Sequence, residues 1–264
     1  MKTGLESPPP PPDTPEPVAT CFRVPQGRVH SIESAGMLDG PGIRHVIFLS
    51  GCPLRCLYCH NPDTVCAENG GLRHADQLMV DVARRRAFLK GGGLTISGGE
   101  PLAQPGFVKT LLTGAKALGL HTAVDTSGHL GARVDDEMLA LTDLWLLDIK
   151  SFDPVTYKRV TGVDRGPTLA FARRLAIRKR PMWIRFVLVP GLTDAVENIE
   201  GVAAFVVGLG PAVERVDVLP FHKMGEAKWE ATGRFYSLGA TQPTTPAATE
   251  AARAIFRAKG LKTF

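Results

Sequence analysis

The sequence predicts an α/β protein whose core is a partial (β/α)6 barrel, and two observations point to this fold class. Six short runs of β-branched or aliphatic residues alternate with segments of helical periodicity. That order is typical of a parallel sheet with helices between its strands. Each run ends in a polar or glycine-rich motif, and active sites of barrel folds are built at the carboxyl ends of the parallel strands. We therefore expect six strand ends to meet at one mouth.

The first 26 residues are expected to form a proline-rich, disordered tail. Prolines at positions 8–12, 15 and 17 favour extended polyproline II structure, and the segment offers little apolar surface to bury. A docking segment for a partner is the other interpretation. The folded domain is expected to occupy residues 27–264, and Cys21, which lies in the tail, is expected to have no role.

The strands and helices follow one another in regular order. The predicted strands are residues 45–50, 94–97, 121–125, 144–149, 183–189 and 216–219. The predicted helices are residues 76–90, 104–118, 135–141, 168–180, 194–209 and 246–259. In the first helix, Leu78, Val82 and Leu89 are expected to share one face.

The composition is that of an ordinary globular protein, with 44% hydrophobic and 22% charged residues. Apolar runs fall short of the roughly 20 residues that a membrane helix needs. The first residues lack the apolar stretch of a secretion signal, so we expect a cytoplasmic protein. The net charge of +5 is compatible with anionic substrates or an acidic electron donor, and does not by itself indicate nucleic acid.

Three of the five cysteines, Cys52, Cys56 and Cys59, are expected on one loop after the first predicted strand. Gly51 ends the apolar run, and Pro53 cannot lie inside a helix without breaking it. Thiolates suit zinc or iron–sulfur clusters. Three thiols can hold three corners of a four-iron cluster, leaving one iron open to a substrate or cofactor, as catalytic zinc keeps an open position.

Two other interpretations of the cysteines remain open at this point. Residues 56–60 also match the C-x-x-C-H pattern of covalent haem attachment, a reaction that takes place outside the cytoplasm. A structural zinc site would need a fourth protein ligand, which His60 or Cys66 would supply.

The C-x3-C-x2-C spacing, with an aromatic residue before the last cysteine, resembles the radical S-adenosylmethionine (SAM) superfamily. The sequences SIES at 31–34, DGPGIR at 39–44 and HNP at 60–62 resemble the glycyl-radical-enzyme activases. This resemblance runs from about residue 27 to residue 264. It implies a TIM-like partial barrel of the radical SAM type, with a [4Fe-4S] cluster on Cys52, Cys56 and Cys59 and with SAM bound beside it.

The resemblance also implies an anaerobic oxidoreductase reaction. The cluster would reductively cleave SAM to a 5′-deoxyadenosyl radical, which would remove a hydrogen atom from a glycine of a partner protein. The implied partners are a glycyl-radical enzyme as protein substrate and a flavodoxin or ferredoxin as electron donor, with no nucleic acid and no membrane. Residues 61–93 contain no cysteine-rich insert, which favours the activases of pyruvate formate-lyase.

Three alternatives to this function remain. The first is an activase for a different glycyl-radical enzyme. The second is a radical SAM enzyme that acts on a small molecule or on RNA. The third is an electron carrier or zinc module without enzymatic activity, which would neither bind nor cleave SAM.

The motif Gly98-Gly99-Glu100 follows the second predicted strand. Two residues without Cβ let a ligand approach the backbone closely, and the Glu100 carboxylate can accept from an ammonium group. A simple turn is the alternative interpretation. The resemblance implies that this motif holds the methionyl amino group of SAM.

Further cofactor contacts are predicted at other strand ends and around the cysteines. Asp148 and Lys150 are expected to share one face of a strand end, where a buried ion pair is the alternative. The resemblance implies SAM contacts from the residues Tyr58, Cys59, His60, Asp148, Ile149, Lys150 and His222. It also implies a monovalent-cation site formed by Asp125, Thr126 and Asp148.

Asp39 and Arg185 are candidates for contact with the protein substrate. Asp39 begins a tight turn that would hold the glycine loop of the partner, and Arg185 is expected to point into the barrel. The basic residues at 173–180 are expected to form a solvated helix face or to dock an acidic flavodoxin. Cys66 is expected to be a spare thiol.

Overall fold

A computed structural model describes residues 25–89 and 91–264, which contain an eight-stranded sheet. Its strands are β1 (Gln26–Gly36), β2 (Arg44–Leu49), β3 (Gly71–His74), β4 (Gly93–Gly98), β5 (His121–Thr126), β6 (Leu144–Asp148), β7 (Met182–Leu188) and β8 (Val213–Pro220). Their order across the sheet is β3-β1-β2-β4-β5-β6-β7-β8.

The predicted partial barrel is confirmed. The six strands from β2 to β8, leaving out β3, correspond to the six predicted runs, and each neighbouring pair is parallel. They are aliphatic because most of their residues are buried on one face or the other, as is usual for parallel strands. The described sheet is open, with β3 at one edge and β8 at the other.

Two antiparallel strands, β1 and β3, were not predicted. β1 pairs with β2, and β3 pairs with the first residues of β1, from Gln26 to Val29. The predicted folded domain begins at residue 27, and β1 begins one residue earlier, at Gln26. Residues 1–24, including Cys21, lie outside the described residues.

The helices of the described residues are α1 (Ala75–Arg84), α2 (Pro105–Ala117), α3 (Asp136–Leu141), α4 (Pro154–Thr161), α5 (Gly166–Ile177), α6 (Val196–Val207), α7 (Glu226–Ala231) and α8 (Pro246–Ala258). Six of them correspond to predicted helices, and α4 and α7 were missed. The predicted helix 76–90 is shorter in the structure, because the chain turns after Arg84. Leu89 is nevertheless buried in the same core as Leu78 and Val82.

The main core lies between the outer face of the sheet and the helices, where Ile47, Ile96 and Leu147 are fully buried. A smaller apolar cluster of Ala123, Leu144, Leu146 and Trp183 comes from the opposite side-chain positions of the strands and fills part of the lumen. Among the residues described here, no helix has the length and apolar character to cross a membrane.

One buried side chain fixes the loop that follows β6. Asn198, at the start of α6, accepts hydrogen bonds through Oδ1 from the Ser151 hydroxyl (2.7 Å) and from the amides of Phe152 (2.8 Å) and Asp153 (3.1 Å). Its amide nitrogen donates to the carbonyl of Thr193 (2.8 Å). This anchor sets the path of the chain directly after Lys150.

Replacing Asn198 with alanine should lower the free energy of unfolding by roughly 2–4 kcal/mol, because it leaves buried donors around residues 151–153 unpaired. Chemical denaturation measures this difference. The exposed neighbour Glu197 supplies the matched control, since Glu197→Ala should change stability by no more than about 0.5 kcal/mol. Equal effects of the two substitutions would contradict the anchoring role.

Candidate functional site

The cysteine loop, residues 51–60, is irregular chain that other segments hold in place. The amides of Gly51 and Cys52 donate to the carbonyls of Thr64 (2.7 Å) and Val65 (3.0 Å). The amides of Arg55 and Leu57 donate to the last carbonyls of α4, at 2.8 Å and 3.0 Å. Within the loop the Cys59 amide donates to the Cys56 carbonyl (3.1 Å), and the contacts with the other segments fix the rest of the loop.

The three cysteines are partly buried and are not in disulfides. Burial raises the pKa of the Cys52 and Cys56 thiols to about 12 each and also raises the pKa of Cys59. Protonated thiols must lose their protons to bind metal, so loading of this site is coupled to proton release. In the described part of the chain, no group of three or more His, Cys, Asp or Glu side chains is already arranged to hold a metal ion.

The Gly98-Gly99-Glu100 motif lies directly against the cysteine loop. The Glu100 amide donates to the carbonyl of Gly51 (2.9 Å), one residue before Cys52. Gly98 has a φ of +117°, and a Cβ on it would lie 2.2 Å from the Leu49 nitrogen. A Cβ on Gly99 would lie 2.6 Å from the Gly51 oxygen, so both positions need glycine for this close approach.

The carboxylate of Glu100 is fully buried and its hydrogen-bonding capacity is already used. One oxygen accepts from the Leu102 amide (3.0 Å) and the Thr126 hydroxyl (2.6 Å), and the other accepts from the amide and hydroxyl of Ser127. Burial raises the pKa of Glu100 despite these donors. In this structure Glu100 joins the motif to the end of β5, and the backbone carbonyls of the motif are the more accessible acceptors.

Lys150 and Asp148 form the ion pair that the alternative interpretation anticipated, with 2.8 Å between Nζ and Oδ2. Burial alone would lower the pKa of Lys150, but the negative charge of Asp148 outweighs it and holds the pKa well above its usual range. The ammonium group lies 5.7 Å from the centre of the Tyr58 ring. Lys150 is thus close to the cysteine loop, while the preceding Ile149 is buried in the main core.

Tyr58 and the two histidines also lie around the cysteine loop. Tyr58 is only 5% exposed, and its hydroxyl has no hydrogen-bond partner within the described residues. His60 and His222 are in contact, with 4.1 Å between ring centroids. Burial, followed by the neighbouring His222, lowers the pKa of His60. The predicted SAM residues therefore converge on one region, although they come from four strand ends.

Asp39, Arg185 and Asp125 form a charged group inside the lumen. Arg185 Nη1 lies 3.0 Å from Asp125 Oδ2, and its Nη2 lies 3.9 Å from Asp39 and donates to the Leu38 carbonyl at 2.7 Å. Arg185 therefore points into the barrel, as predicted, and holds the β1–β2 loop there. The second oxygen of Asp125 has no partner in the described part of the chain.

The predicted cation site is only partly available. Asp148 pairs with Lys150, and the Thr126 hydroxyl donates to Glu100 and accepts from the Gly128 amide. Among the predicted site residues that the structure describes, one Asp125 oxygen, the Tyr58 hydroxyl and the Nε of Arg185 have no hydrogen-bond partner. These groups, the glycine motif and three thiols near a lysine fit a thiolate-held cluster with a charged cofactor beside it.

The comparisons with known proteins agree with this arrangement. Residues 46–205 match the family model described as the radical SAM superfamily, which is more than half of the chain. The chain belongs to the radical SAM superfamily. The predicted resemblance is thus confirmed, and the motifs on the described strands are those of a radical SAM core.

Named relatives within this superfamily cover most of the chain. The pyruvate formate-lyase 1-activating enzyme of Escherichia coli K12 is 39% identical over 241 residues, which is 89% of this chain and 97% of that protein. The pyruvate formate-lyase-activating enzyme of Listeria monocytogenes is 42% identical over 220 residues, covering 80% and 88% of the two chains. A crystal structure of a domain of such an enzyme from Bacteroides vulgatus is 29% identical with a TM-score of 0.56, over 66% of this chain and 98% of that one. The chain belongs to the family of these activating enzymes.

Sequence reasoning missed two contacts on the outer side of the cysteine loop. Trp229 of α7 donates through Nε1 to the Cys59 carbonyl (2.9 Å), and Lys228 donates to the Asn61 side chain (2.7 Å). It also missed Arg44, which is fully buried and donates to the Thr95 hydroxyl (2.9 Å) and the Leu94 carbonyl (2.6 Å). The DGPGIR motif contains Arg44, so the motif was the available indication of its importance.

The substitution Asp39→Asn should raise the free energy of unfolding by an amount that depends on pH. Burial, then the charge of Asp125, raises the pKa of Asp39 from 3.8 to about 6. A carboxyl group with a raised pKa binds its proton more tightly when folded, so ionised Asp39 lowers stability as the pH rises from about 4 through about 6. We expect the variant to be more stable than the wild type by roughly 2 kcal/mol at pH 8, with the difference vanishing near pH 4.

Urea unfolding of the two proteins from pH 4 to pH 8 measures this difference. Asp164→Asn is the control, because the Asp164 side chain is 79% exposed and its replacement should give a difference that does not follow pH in this way. A stability difference for Asp39→Asn that stays constant with pH would refute the prediction.

Gly99→Ala should separate the glycine motif from the cysteine loop, because the new methyl group would lie 2.6 Å from the Gly51 oxygen and 2.9 Å from the Thr64 oxygen. We expect lower iron content after reconstitution and SAM binding weakened by roughly tenfold, or about 1.4 kcal/mol. Iron analysis and equilibrium binding measure the two effects. Gly106→Ala is the control, because the added Cβ meets nothing within 4 Å, and it should change neither the iron content nor SAM binding. Equal losses of iron and of SAM binding in both variants would contradict the predicted role of Gly99.

Proposed function

We propose that this protein activates pyruvate formate-lyase by generating a glycyl radical on it. In this proposal Cys52, Cys56 and Cys59 would hold a [4Fe-4S] cluster, which would supply the electron that cleaves SAM to methionine and a 5′-deoxyadenosyl radical. The hydrogen atom that converts this radical to 5′-deoxyadenosine would come from a glycine Cα of the partner. The names of the activating-enzyme relatives support the choice of partner.

One observation carries the proposal most directly. The glycine motif and Lys150, which are 50 residues apart in the chain, both lie beside the cysteine loop. Backbone hydrogen bonding joins Gly51 to Glu100, and the positive charge of Lys150 acts on the Cys56 thiol. A cofactor that binds the open iron can therefore place its ammonium group at the glycine carbonyls and its carboxylate at Lys150.

The remaining predicted residues have roles around this cofactor in the proposal. Tyr58, His60 and His222 surround the adenosine part of SAM in this proposal. The unpaired oxygen of Asp125 accepts a hydrogen bond from a ribose hydroxyl or binds a monovalent cation. Asp148 keeps Lys150 in place through their ion pair. None of these side chains needs to act as a general acid or base, because the cofactor carries the chemistry.

The β1–β2 loop favours a protein as the substrate over a small molecule. Met37 is 75% exposed and Leu38 is 82% exposed, although the next residue, Asp39, reaches into the lumen beside Arg185. Adjacent exposed apolar residues on a loop that enters the site are suited to a partner surface. We propose that this loop holds the glycine-bearing segment of the partner.

The proposal includes a flavodoxin or ferredoxin as electron donor and a cytoplasmic location. Reduction of the cluster needs a one-electron donor, and the net charge of +5 suits an acidic carrier. If the partner enzyme is made in the cytoplasm, this protein would encounter it there.

The decisive experiment is anaerobic and uses the reconstituted protein with SAM, dithionite and purified pyruvate formate-lyase. A glycyl-radical signal in the electron paramagnetic resonance spectrum of the partner, with one 5′-deoxyadenosine formed per radical, is expected. If the radical forms only on another glycyl-radical enzyme, that enzyme is the protein substrate and pyruvate formate-lyase is not. Formation of 5′-deoxyadenosine without any protein radical would favour a small molecule or RNA as substrate.

Cys56→Ala should abolish both the brown colour of the reconstituted protein and the formation of 5′-deoxyadenosine, because two thiolates cannot replace three as cluster ligands. Absorbance, iron content and product analysis measure these losses. Cys66→Ala is the matched control, since the Cys66 sulfur accepts from Arg234 (3.3 Å) outside the C-x3-C-x2-C motif. Retention of the cluster in Cys56→Ala and its loss in Cys66→Ala would reverse the assignment of ligands.

A further inference from the structure

An open cavity of about 780 Å³ lies at the end of the barrel opposite to the cysteine loop. Its walls come from the end of α1 and from residues at the amino ends of three parallel strands. Pro41 precedes β2, Gly91 and Gly92 precede β4, and His121 begins β5. The cysteine loop follows the carboxyl end of β2, a strand of six residues, which separates the two ends by roughly 20 Å. The cavity is therefore distinct from the site at the carboxyl ends of the strands.

Two arginines line this cavity. Arg84 and Arg86 contribute to it from the end of α1, and none of the described residues that line it is acidic. Arg86 is exposed and forms no ion pair with the residues that the structure describes, and its Nη2 lies 3.6 Å from the position that a Cβ on Gly119 would take. Arg84 lies 3.5 Å from Asp81, and its side chain is 73% exposed. Exposed pairs of this kind contribute little, so both arginines are available to an anion.

A buried positive charge lies directly behind the cavity wall. Arg44 is fully buried, and its guanidinium donates to the Thr95 hydroxyl (2.9 Å) and to the Pro41 carbonyl (3.4 Å). The largest compensating charge is that of Asp143, which already pairs with Lys116 at 2.7 Å. Burial lowers the pKa of Arg44 to about 10, so the group is still charged at neutral pH. Its charge adds to the positive potential of the cavity.

His121 adds a neutral hydrogen-bond donor to the same wall. Its Nδ1 lies 3.0 Å from Arg44 Nη1, and because a guanidinium can only donate, Nδ1 accepts. Burial, followed by the charge of Arg44, lowers the pKa of His121, so the ring is neutral and carries its proton on Nε2. The described residues offer this N–H no acceptor, and His121 lines the cavity. The N–H is therefore available to a bound anion.

The rest of the lining suits a flat organic group. Pro41, Ala87 and Leu120 give apolar surface, and the glycines of the wall add no side chains. The volume lies within the range of roughly 300–1,000 Å³ that is usual for small-molecule sites. An inorganic phosphate would fill only a small part of it. Arginine also suits this kind of ligand, because a guanidinium binds phosphate in a bidentate manner and stacks on aromatic faces.

We propose that this cavity, which we call the rear cavity, binds a nucleotide. Arg84 and Arg86 hold the phosphate groups, and His121 donates a hydrogen bond at the same end. The base packs against the apolar wall formed by Pro41 and Leu120. The inference goes beyond the proposed function and does not depend on it, because none of these residues belongs to the cysteine loop or to the glycine motif.

The test measures binding of ATP, AMP, adenosine and inorganic phosphate to the reconstituted full-length protein by anaerobic calorimetry. Each titration is run with and without an excess of SAM. Arg84→Ala/Arg86→Ala removes both exposed cations from the rear cavity. Lys158→Ala/Arg159→Ala is the matched control, because it removes two exposed cations from α4 and changes the net charge by the same amount.

We expect the wild type to bind ATP equally well with and without SAM, and at least roughly tenfold more tightly than it binds adenosine or inorganic phosphate. Arg84→Ala/Arg86→Ala should weaken ATP binding by roughly tenfold or more, whereas the control variant should stay within about twofold of the wild type. Added salt should weaken ATP binding to the wild type, because the two arginines are exposed and their charges are screened.

Four results would overturn the inference. The first is a wild type that does not bind ATP, and the second is equal weakening of ATP binding in both double variants. The third is displacement of ATP by SAM, which would place the nucleotide at the carboxyl ends of the strands. The fourth is inorganic phosphate that binds as tightly as ATP, which would show that the base and the sugar make no contact.

Discussion

The cysteine loop depends on backbone hydrogen bonds that other parts of the chain supply, and the rest of the site depends on that loop. Residues 64–65 hold its beginning, the end of α4 holds its middle, and Trp229 of α7 holds the Cys59 carbonyl. A helix would satisfy most of its own amides, whereas this irregular segment depends mainly on partners elsewhere in the chain. The barrel and its two added helices therefore act as a frame that fixes an irregular segment, which is the preorganisation that a functional site needs.

The same frame tolerates an unusual number of charges inside the lumen because nearly all of them are paired. Arg185 lies between Asp125 and Asp39, and Lys150 pairs with Asp148. Removing Arg185 or Lys150 would leave buried carboxylates without a counter-charge, which is strongly destabilising. Within the described residues, one Asp125 oxygen, the Tyr58 hydroxyl and the Nε of Arg185 lack hydrogen-bond partners. These groups belong to residues that the proposal places around the cofactor and the protein substrate.

Sequence alone predicted the parts of this arrangement that depend on local pattern. The six parallel strands were found because they are buried and aliphatic, and the cysteine and glycine motifs because their spacing is short. β1 and α7 were missed because most of their residues are exposed and carry no clear hydrophobic period. Ser127 donates hydrogen bonds to the Glu100 carboxylate, although the two residues are 27 positions apart in the chain. Trp229 donates to the Cys59 carbonyl across 170 positions. No single-sequence pattern encodes such pairings, which arise only once the barrel has formed.

The two sides of the cysteine loop differ in their surroundings. Tyr58 faces Lys150 on the inner side, whereas Pro53 and Arg55 face solvent beside α4. In the proposed function SAM would bind on the side of Tyr58 and Lys150, so the exposed side of the loop would stay free of the cofactor.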